Sequence, residues 1–354
     1  MALSRVHVTT LRCLQDAELN LHPALNYILG PNGAGKTSLL EAIFLLGRGR
    51  SFRTRQLRRL VSRGSAGFTV YGETAEEGRV RRLGVAWAEG HLEKRIDGEP
   101  AHGTAELAAL FPVHLIDPSS HDLIQGTPSE RRRFLDWGVF HVEHAYLPLW
   151  RRYRRLLGQR NATLKSGGSA AELRAWSTPL AEAGHAVHAL RERYIALLAP
   201  AFKAAGSALL EHGLDLRYVP GWDASRTLLE TLEENQSRDR QAGTTEAGPH
   251  RADLAITLDA HAARDEASRG QQKLAAAALI LGQARVHAAH ASHPATLLVD
   301  DPAAELDVAA LERLLSQLYE TPSQLVITGL TTAQLPVRTG FPVFHVERGG
   351  LRAL

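Results

Sequence analysis

The period of apolar positions changes twice along this 354-residue chain. Up to about residue 115, apolar residues come in short runs broken by turn residues, the pattern of strands. Residues 25–29 predict one strand, and 68–72, 83–87 and 91–96 predict a meander. Between them, residues 38–46 carry helical spacing instead. From about 129 to 212 the sequence is rich in Ala, Leu, Arg and Glu with few breakers. That stretch predicts long helices, interrupted once by Ser166-Gly167-Gly168-Ser169. A polar segment, 230–248, precedes a return to strand-like runs, among them 296–299. No repeat of 20 to 50 residues and no sustained heptad pattern is present. The chain is long enough for two domains. The pattern therefore predicts an α/β core in two parts, residues 1–115 and 246–354. A helical lobe, residues 116–245, is inserted between them as a compact body, not a long arm.

The loop between the first strand and the first helix carries the most specific chemistry. Gly30-Pro31-Asn32-Gly33-Ala34-Gly35-Lys36-Thr37 fits the phosphate-binding pattern G-x-x-x-x-G-K-[ST]. A glycine loop that opens a helix leaves backbone N–H groups free to point at an anion, and the helix dipole favours its charge. Gly30, Asn32, Gly33, Gly35 and Ser38 then belong to the cradle, Lys36 reaches the β and γ phosphates, and the Thr37 hydroxyl holds Mg²⁺. The expected ligand is a nucleoside triphosphate.

Far downstream, Thr296-Leu297-Leu298-Val299-Asp300-Asp301 reads as a buried strand ending in two carboxylates. Asp300 stands where an acid holds the Mg²⁺ shell, usually through water, and Asp301 where a general base polarises the attacking water. A strand followed by an acidic turn is common, so this signal is weak alone. Ahead of it, Ala267-Ser268-Arg269-Gly270-Gln271-Gln272-Lys273 forms a small-residue turn before the apolar run 274–281. Such a turn at a helix N-terminus can offer Ser and Gly groups to a γ-phosphate.

Taken in order, these motifs resemble an ABC-type P-loop ATPase head, a mixed sheet with flanking helices. Ser268, Gly270 and Gln271 resemble the L-S-G-G-Q signature, which in that family completes the nucleotide site of the opposite subunit. Ala304-Glu305-Leu306-Asp307 resembles the short loop that crosses the dimer interface. About 230 residues separate Lys36 from the signature. That gap is longer than in transporter ATPases and far shorter than in chromosome-maintenance and Rad50-type ATPases. Four further stretches narrow the resemblance: Thr9-Thr10-Leu11-Arg12, Gly126-Thr127-Pro128-Ser129-Glu130-Arg131-Arg132-Arg133-Phe134-Leu135-Asp136, Gly248-Pro249-His250-Arg251-Ala252-Asp253-Leu254, and Ser268 to Lys273. With these the chain is similar over its length to the RecF family of bacterial recombinational-repair ATPases. The resemblance implies ATP with Mg²⁺ sandwiched between two copies of the chain, and Lys36, Asp300 and Asp301 as catalytic residues. It also implies a dimer that grips gapped duplex DNA, RecR and RecO as partners, and assistance in loading RecA. Composition and spacing indicate none of those partners.

Charge adds a second theme. The net charge is only +3, but the cations are almost all arginine, with just five lysines. Arg48, Arg50, Arg53, Arg55, Arg58, Arg59 and Arg63 fall within 16 residues that contain no acid, directly after the phosphate-loop helix. The planar guanidinium fork suits phosphate, so this run is the DNA candidate, with Arg50, Arg53, Arg55, Arg58 and Arg59 at its centre. A second run, Arg151, Arg152, Arg154, Arg155 and Arg160, is interleaved with Trp150 and Tyr153. For both, an exposed helix in an arginine-biased sequence is the competing reading. Arg131, Arg132 and Arg133 fit DNA phosphate, a neighbouring subunit or the lobe's own acids; His250 fits a structural role or a ligand contact. The single cysteine, Cys13, excludes an internal disulfide. With no signal-like N-terminus and no apolar run of membrane-spanning length, the expectation is a cytoplasmic protein.

Three departures from transporter-type sites bear on mechanism. The base position holds Asp301, one methylene shorter than glutamate; no histidine follows the strand 325–328; and the Mg²⁺-sensing glutamine has only His114 or Gln125 as candidates. These point to slow turnover, with ATP as a dimerisation clamp and hydrolysis as its release. A transport-coupled ATPase and a non-catalytic ATP-dependent DNA clamp are the rival readings.

Overall fold

The structure, a computed structural model, describes residues 2–76, 78–304 and 306–353. Glu305 of the expected interface loop lies outside them. Strands β1 (Ala2–Leu11) and β2 (Leu14–Asn20) form a hairpin whose turn places Thr10 and Arg12 at φ 54° and 58°. β3 (Leu25–Leu29) is buried at every position and runs into the phosphate loop, from which α1 (Lys36–Arg48) starts. The expected meander is β4 (Gly67–Glu76), β5 (Arg79–Ala88) and β6 (His91–Ile96), followed by the short β7 (Glu99–Pro100). α2 (Thr104–Leu110) and β8 (Val113–Ile116) complete this part. Six strands pair antiparallel in the order β2-β1-β4-β5-β6-β7.

The middle of the chain contains α3 (Asp122–Gln125), α4 (Pro128–Val142), α5 (Tyr146–Lys165) and the 40-residue α6 (Ala170–Leu209). Ser169 starts α6 with a capping box to Glu172, which satisfies the free N–H groups of its first turn. β9 (Leu214–Val219), α7 (Leu228–Glu234), α8 (Gln236–Ala242), β10 (Asp253–Leu258), β11 (His261–Ala262) and α9 (Ala263–Glu266) follow, and then α10 (Arg269–His290). β11-β10-β9 is a small antiparallel sheet. The chain divides into two compact units, one up to Ser120 and again from His287, the other His121–Val286. Residues 246–286, expected at the start of the C-terminal core part, thus lie in the second unit, because β10 hydrogen-bonds to β9 throughout its length.

Buried arginines hold the second unit together. Arg160 is wholly buried and donates to Asp239 (2.7 Å), Thr245 Oγ1 (2.7 Å) and Ser177 Oγ (2.9 Å). Arg191 bonds Asp136 and the Pro249 carbonyl at 2.6 Å each, beneath the Trp150 ring. Arg131 forms a bidentate pair with Asp253 at 2.7 and 2.9 Å, and Arg132 donates to the Ala252 carbonyl. Three arginines counted as possible nucleic-acid contacts, Arg131, Arg132 and Arg160, therefore serve the unit's own groups. A buried guanidinium needs such partners, since an uncompensated one costs several kcal/mol, about 3–5.

The chain closes the first unit with β12 (Thr296–Val299), α11 (Val308–Tyr319), β13 (Gln324–Gly329), β14 (Val343–Glu347) and β15 (Gly350–Ala353). The second six-stranded sheet has the order β15-β14-β3-β13-β12-β8, parallel except for β15 at its edge. β3, β12 and β13 are mostly apolar and buried on both faces, as strands of a covered parallel sheet are. Apolar α1 side chains such as Leu39, Ile43 and Leu46 share one buried core with Val6, Val70 and Val85 of the antiparallel sheet and Val326 of the parallel one. Buried Gln324 stitches the two sheets, donating to Leu3 and His22 carbonyls and accepting from the Leu3 N–H and the Thr296 hydroxyl.

Candidate functional site

Parallel pairing brings the C-terminal ends of β3, β8, β12 and β13 to one edge, where α/β sheets place their ligands. The phosphate loop emerges from β3. Gly30 lies so close to β14 that a Cβ there would meet the Val346 carbonyl at 2.2 Å. Gly35 starts α1 at φ 122°, which a residue with a side chain rarely adopts. Lys36 is buried and folds back on the loop, its ammonium donating to the Gly30 carbonyl at 2.7 Å and the Pro31 carbonyl at 3.2 Å. Burial lowers its pKa, while Asp301 and Asp300 push it up.

Opposite the loop stand the two acids. The Thr37 hydroxyl donates to Asp300 at 2.9 and 3.1 Å, and the Thr328 hydroxyl donates to it at 2.8 Å. Burial raises the Asp300 pKa; the two threonine bonds lower it, and Asp117 and Asp301 raise it further. Asp301 sits at φ 47°, its N–H donating to Thr328 Oγ1 at 2.9 Å. Its buried Oδ1 has no hydrogen-bond partner among the described residues. One threonine hydroxyl and one carboxylate are hard oxygen donors that suit Mg²⁺, which takes the rest of its shell from water and phosphate oxygens. No cluster of three or more His, Cys, Asp or Glu that could hold a metal occurs among the described residues.

A cleft of about 690 Å³ opens over this edge, of the size that holds a nucleotide. Asn32, Gly33, Gly35, Lys36, Thr37, Ser38 and Asp301 line it, while Gly30 and Asp300 are not part of the lining. Arg12, Arg53 and Arg63 line it too. Arg12 is held in a bidentate pair by Glu41 at 3.0 and 3.1 Å. Glu41, wholly buried on α1, also accepts from Ser51, whose oxygen takes the N–H groups of Arg53 and Thr54. An acid within an otherwise apolar helix stretch was the signal for Glu41, and sequence reasoning passed over it.

The arginine run divides accordingly. Arg48 is half-buried: its guanidinium donates to the Val113 carbonyl at 3.0 and 2.7 Å, and burial lowers its pKa. Arg53 and Arg63 line the nucleotide cleft; Arg50, Arg55, Arg58 and Arg59 are exposed. Ser268, Gly270 and Gln271 lie in the second unit, at the N-terminus of α10. There the Ser268 N–H donates to Gln271 Oε1 at 2.8 Å, and the Gln271 N–H to Ser268 Oγ at 3.3 Å. Ser268 and Gly270 are exposed, and none of the three lines the cleft. Neither do His114, which stacks edge-on against His287, or Gln125, which bonds Asp122. Asp117, at the end of β8, is the group there that bears on Asp300. His250 is structural: it accepts from Tyr153 at 2.6 Å and donates to the Thr245 carbonyl, and burial pushes its pKa down to about 4.

Thr328 was not singled out in the sequence because a β-branched residue in a buried strand is ordinary. Thr328→Val keeps the shape but leaves Asp300 one donor short and the Asp301 N–H without its acceptor. The expected result is a loss of about 1–3 kcal/mol in stability and a weaker hold on Mg²⁺ at neutral pH. Metal titration of ATP hydrolysis checks it, with the Thr328→Ser variant expected to restore the wild-type curve.

The family model for the RecF/RecN/SMC N terminal domain matches residues 2–347. The chain is 44% identical over 357 residues to the DNA replication and repair protein RecF of Azotobacter vinelandii, covering 99% of this chain and 98% of that protein. It is 41% identical over 359 residues to the protein of the same name from Chromohalobacter salexigens, covering 99% of each. Among solved structures it is similar to the recombination mediator RecF-ATP of the RecFOR pathway, at TM-score 0.88 and 25% identity, over 100% of this chain and 97% of that one. An SMC head bound to the C-winged helix domain of ScpA shares the fold at TM-score 0.61 and 15% identity, over 100% and 97% of the chains.

Proposed function

This chain belongs to the RecF family, and from that premise we propose that it is an ATP-dependent DNA-binding protein of recombinational repair. The observation that carries the reading is the joining of the phosphate loop to the acidic strand through Thr37 and Asp300. Lys36 leaves the loop carbonyls for the β and γ phosphates, exchanging weak neutral acceptors for anionic ones. Mg²⁺, held by Thr37 and Asp300, would neutralise phosphate charge. Asp301 accepts the proton of the attacking water, its unpartnered oxygen being free to do so. Arg12, Arg53 and Arg63 add positive charge to the same cleft.

Ser268, Gly270 and Gln271 are exposed or partly exposed at the start of α10, which suits them to completing the site of a second copy. ATP then closes a homodimer on duplex DNA near single-strand gaps, and slow hydrolysis releases it. The exposed Arg50, Arg55, Arg58 and Arg59 supply phosphate contacts, while Arg53 serves the nucleotide. By kinship with a RecFOR-pathway mediator, RecR and RecO are the proposed partners and RecA loading the outcome. The test is binding to a fluorescent gapped duplex, with and without a slowly hydrolysed ATP analogue, over a salt series. Tighter binding with nucleotide is expected, with a salt slope of about −0.9 per phosphate contacted. Binding indifferent to nucleotide would sink the clamp, and a turnover rate like that of motor ATPases would sink the slow release.

A further inference from the structure

We infer that the outward face of α5 is a second surface for the phosphate backbone of duplex DNA. The inference rests on the reading of the chain as a DNA-binding protein and adds a site in the unit that lacks the nucleotide cleft.

The twenty residues of α5 include no acid. Arg151, Arg152, Arg154, Arg155 and Lys165 are all exposed. At 100° per residue they share one arc of the helix, opposite buried Tyr146, Tyr153, Leu157 and Leu164. Composition alone does not produce this, because Arg160 on the inner arc is buried against Asp239. Several exposed arginines elsewhere find carboxylates: Arg5 pairs with Glu18, Arg81 with Asp97 and Arg193 with Glu143, at 2.5–2.9 Å. Of the exposed arginines of α5, only Arg152 approaches one among the described residues, Glu182 at 4.0 Å. No ion pair involves Arg151, Arg154 or Arg155 among the described residues, although Arg154 lies over the Trp150 ring at 5.9 Å.

Arginines at i,i+3 and i,i+4 repel one another along a helix, so this arrangement is relieved when a polyanion neutralises it. The helix beneath is firm, since Trp150 stacks on both Tyr146 and Tyr153. Between the arginines and Lys165 the face offers Gly158, Gln159 and Ala162, with no large apolar group. A protein partner's stable interface needs an apolar centre, and a membrane surface needs apolar side chains to insert. A phosphate backbone needs only charge and donors, which guanidinium forks supply.

The experiment compares the full chain with Arg151→Ala/Arg155→Ala and with Arg151→Lys/Arg155→Lys. Each binds duplex DNA with the slowly hydrolysed ATP analogue over a salt series. The alanine pair should lower the magnitude of the salt slope by about one unit per arginine and weaken binding on all sequences alike. The lysine pair should keep the slope. Thermal unfolding and ATP binding should match the wild type in both, because the residues face solvent and lie outside the cleft. Wild-type binding with an unchanged slope in the alanine pair overturns this inference alone. Failure of the wild-type chain to bind DNA overturns the functional reading on which it rests.

Discussion

Lys36→Met should bind ATP about 100-fold more weakly than the wild-type chain, the effect of losing a charge-assisted bond to phosphate in a partly desolvated site. Lys36 is buried and its ammonium already sits among loop carbonyls, 2.7 Å from the Gly30 oxygen. Methionine has a similar unbranched stem and fits the same channel, so the loop keeps its glycine-determined path. What disappears is the positive charge that the phosphates would meet on entry. If ATP closes the dimer on DNA, the nucleotide-dependent gain in DNA affinity should vanish with it, leaving only the basal electrostatic binding. Calorimetry with ATP and the gapped-duplex titration check both parts. Undiminished ATP affinity in a folded Lys36→Met protein would show that the cleft binds nucleotide in another way.

Asp301→Asn should retain ATP binding yet lose hydrolysis by a factor of about 10²–10⁴, the range for removal of a general base. Asparagine is the informative replacement because Asp301 adopts φ 47°, a conformation asparagine tolerates and most residues resist. Its backbone N–H can still donate to Thr328, so the geometry around Asp300 survives. The protein–ATP–DNA complex should therefore persist after ATP is withdrawn, where the wild-type complex decays. Single-turnover hydrolysis and DNA dissociation, measured in parallel, provide the readout. If the wild-type chain has near-zero turnover that Asp301→Asn leaves unchanged, ATP is only a structural ligand and the non-catalytic clamp is the better account.

Much of this site was legible in the order of residues, for a local reason. The phosphate loop is a contiguous stretch whose backbone path is set by Gly30, Gly33 and Gly35, and its strand and helix follow from adjacent periodicity. Asp300 and Asp301 follow an apolar strand directly, so their exit at a sheet edge is likewise local. The meander, the helical stretch from 129 to 212 and the break at 166–169 also depend only on near neighbours.

Tertiary structure decided what depends on register and distant packing. Thr328 meets Asp300 across 28 residues because β12 and β13 pair in parallel with Val299 opposite Ile327. Glu41 gathers Arg12 and Ser51 from separate segments, which brings Arg53 to the cleft beside the phosphate loop and leaves Arg50, Arg55, Arg58 and Arg59 exposed. The sequence by itself determined that the chain carries a phosphate loop, an acidic strand and an excess of arginine over lysine. Which arginines are consumed inside, as Arg48, Arg131, Arg160 and Arg191 are, only the packed structure settled. The physical reason is that an arginine's role is set by whether a carboxylate or carbonyl lies within reach of its guanidinium, and those partners come from elements remote in sequence.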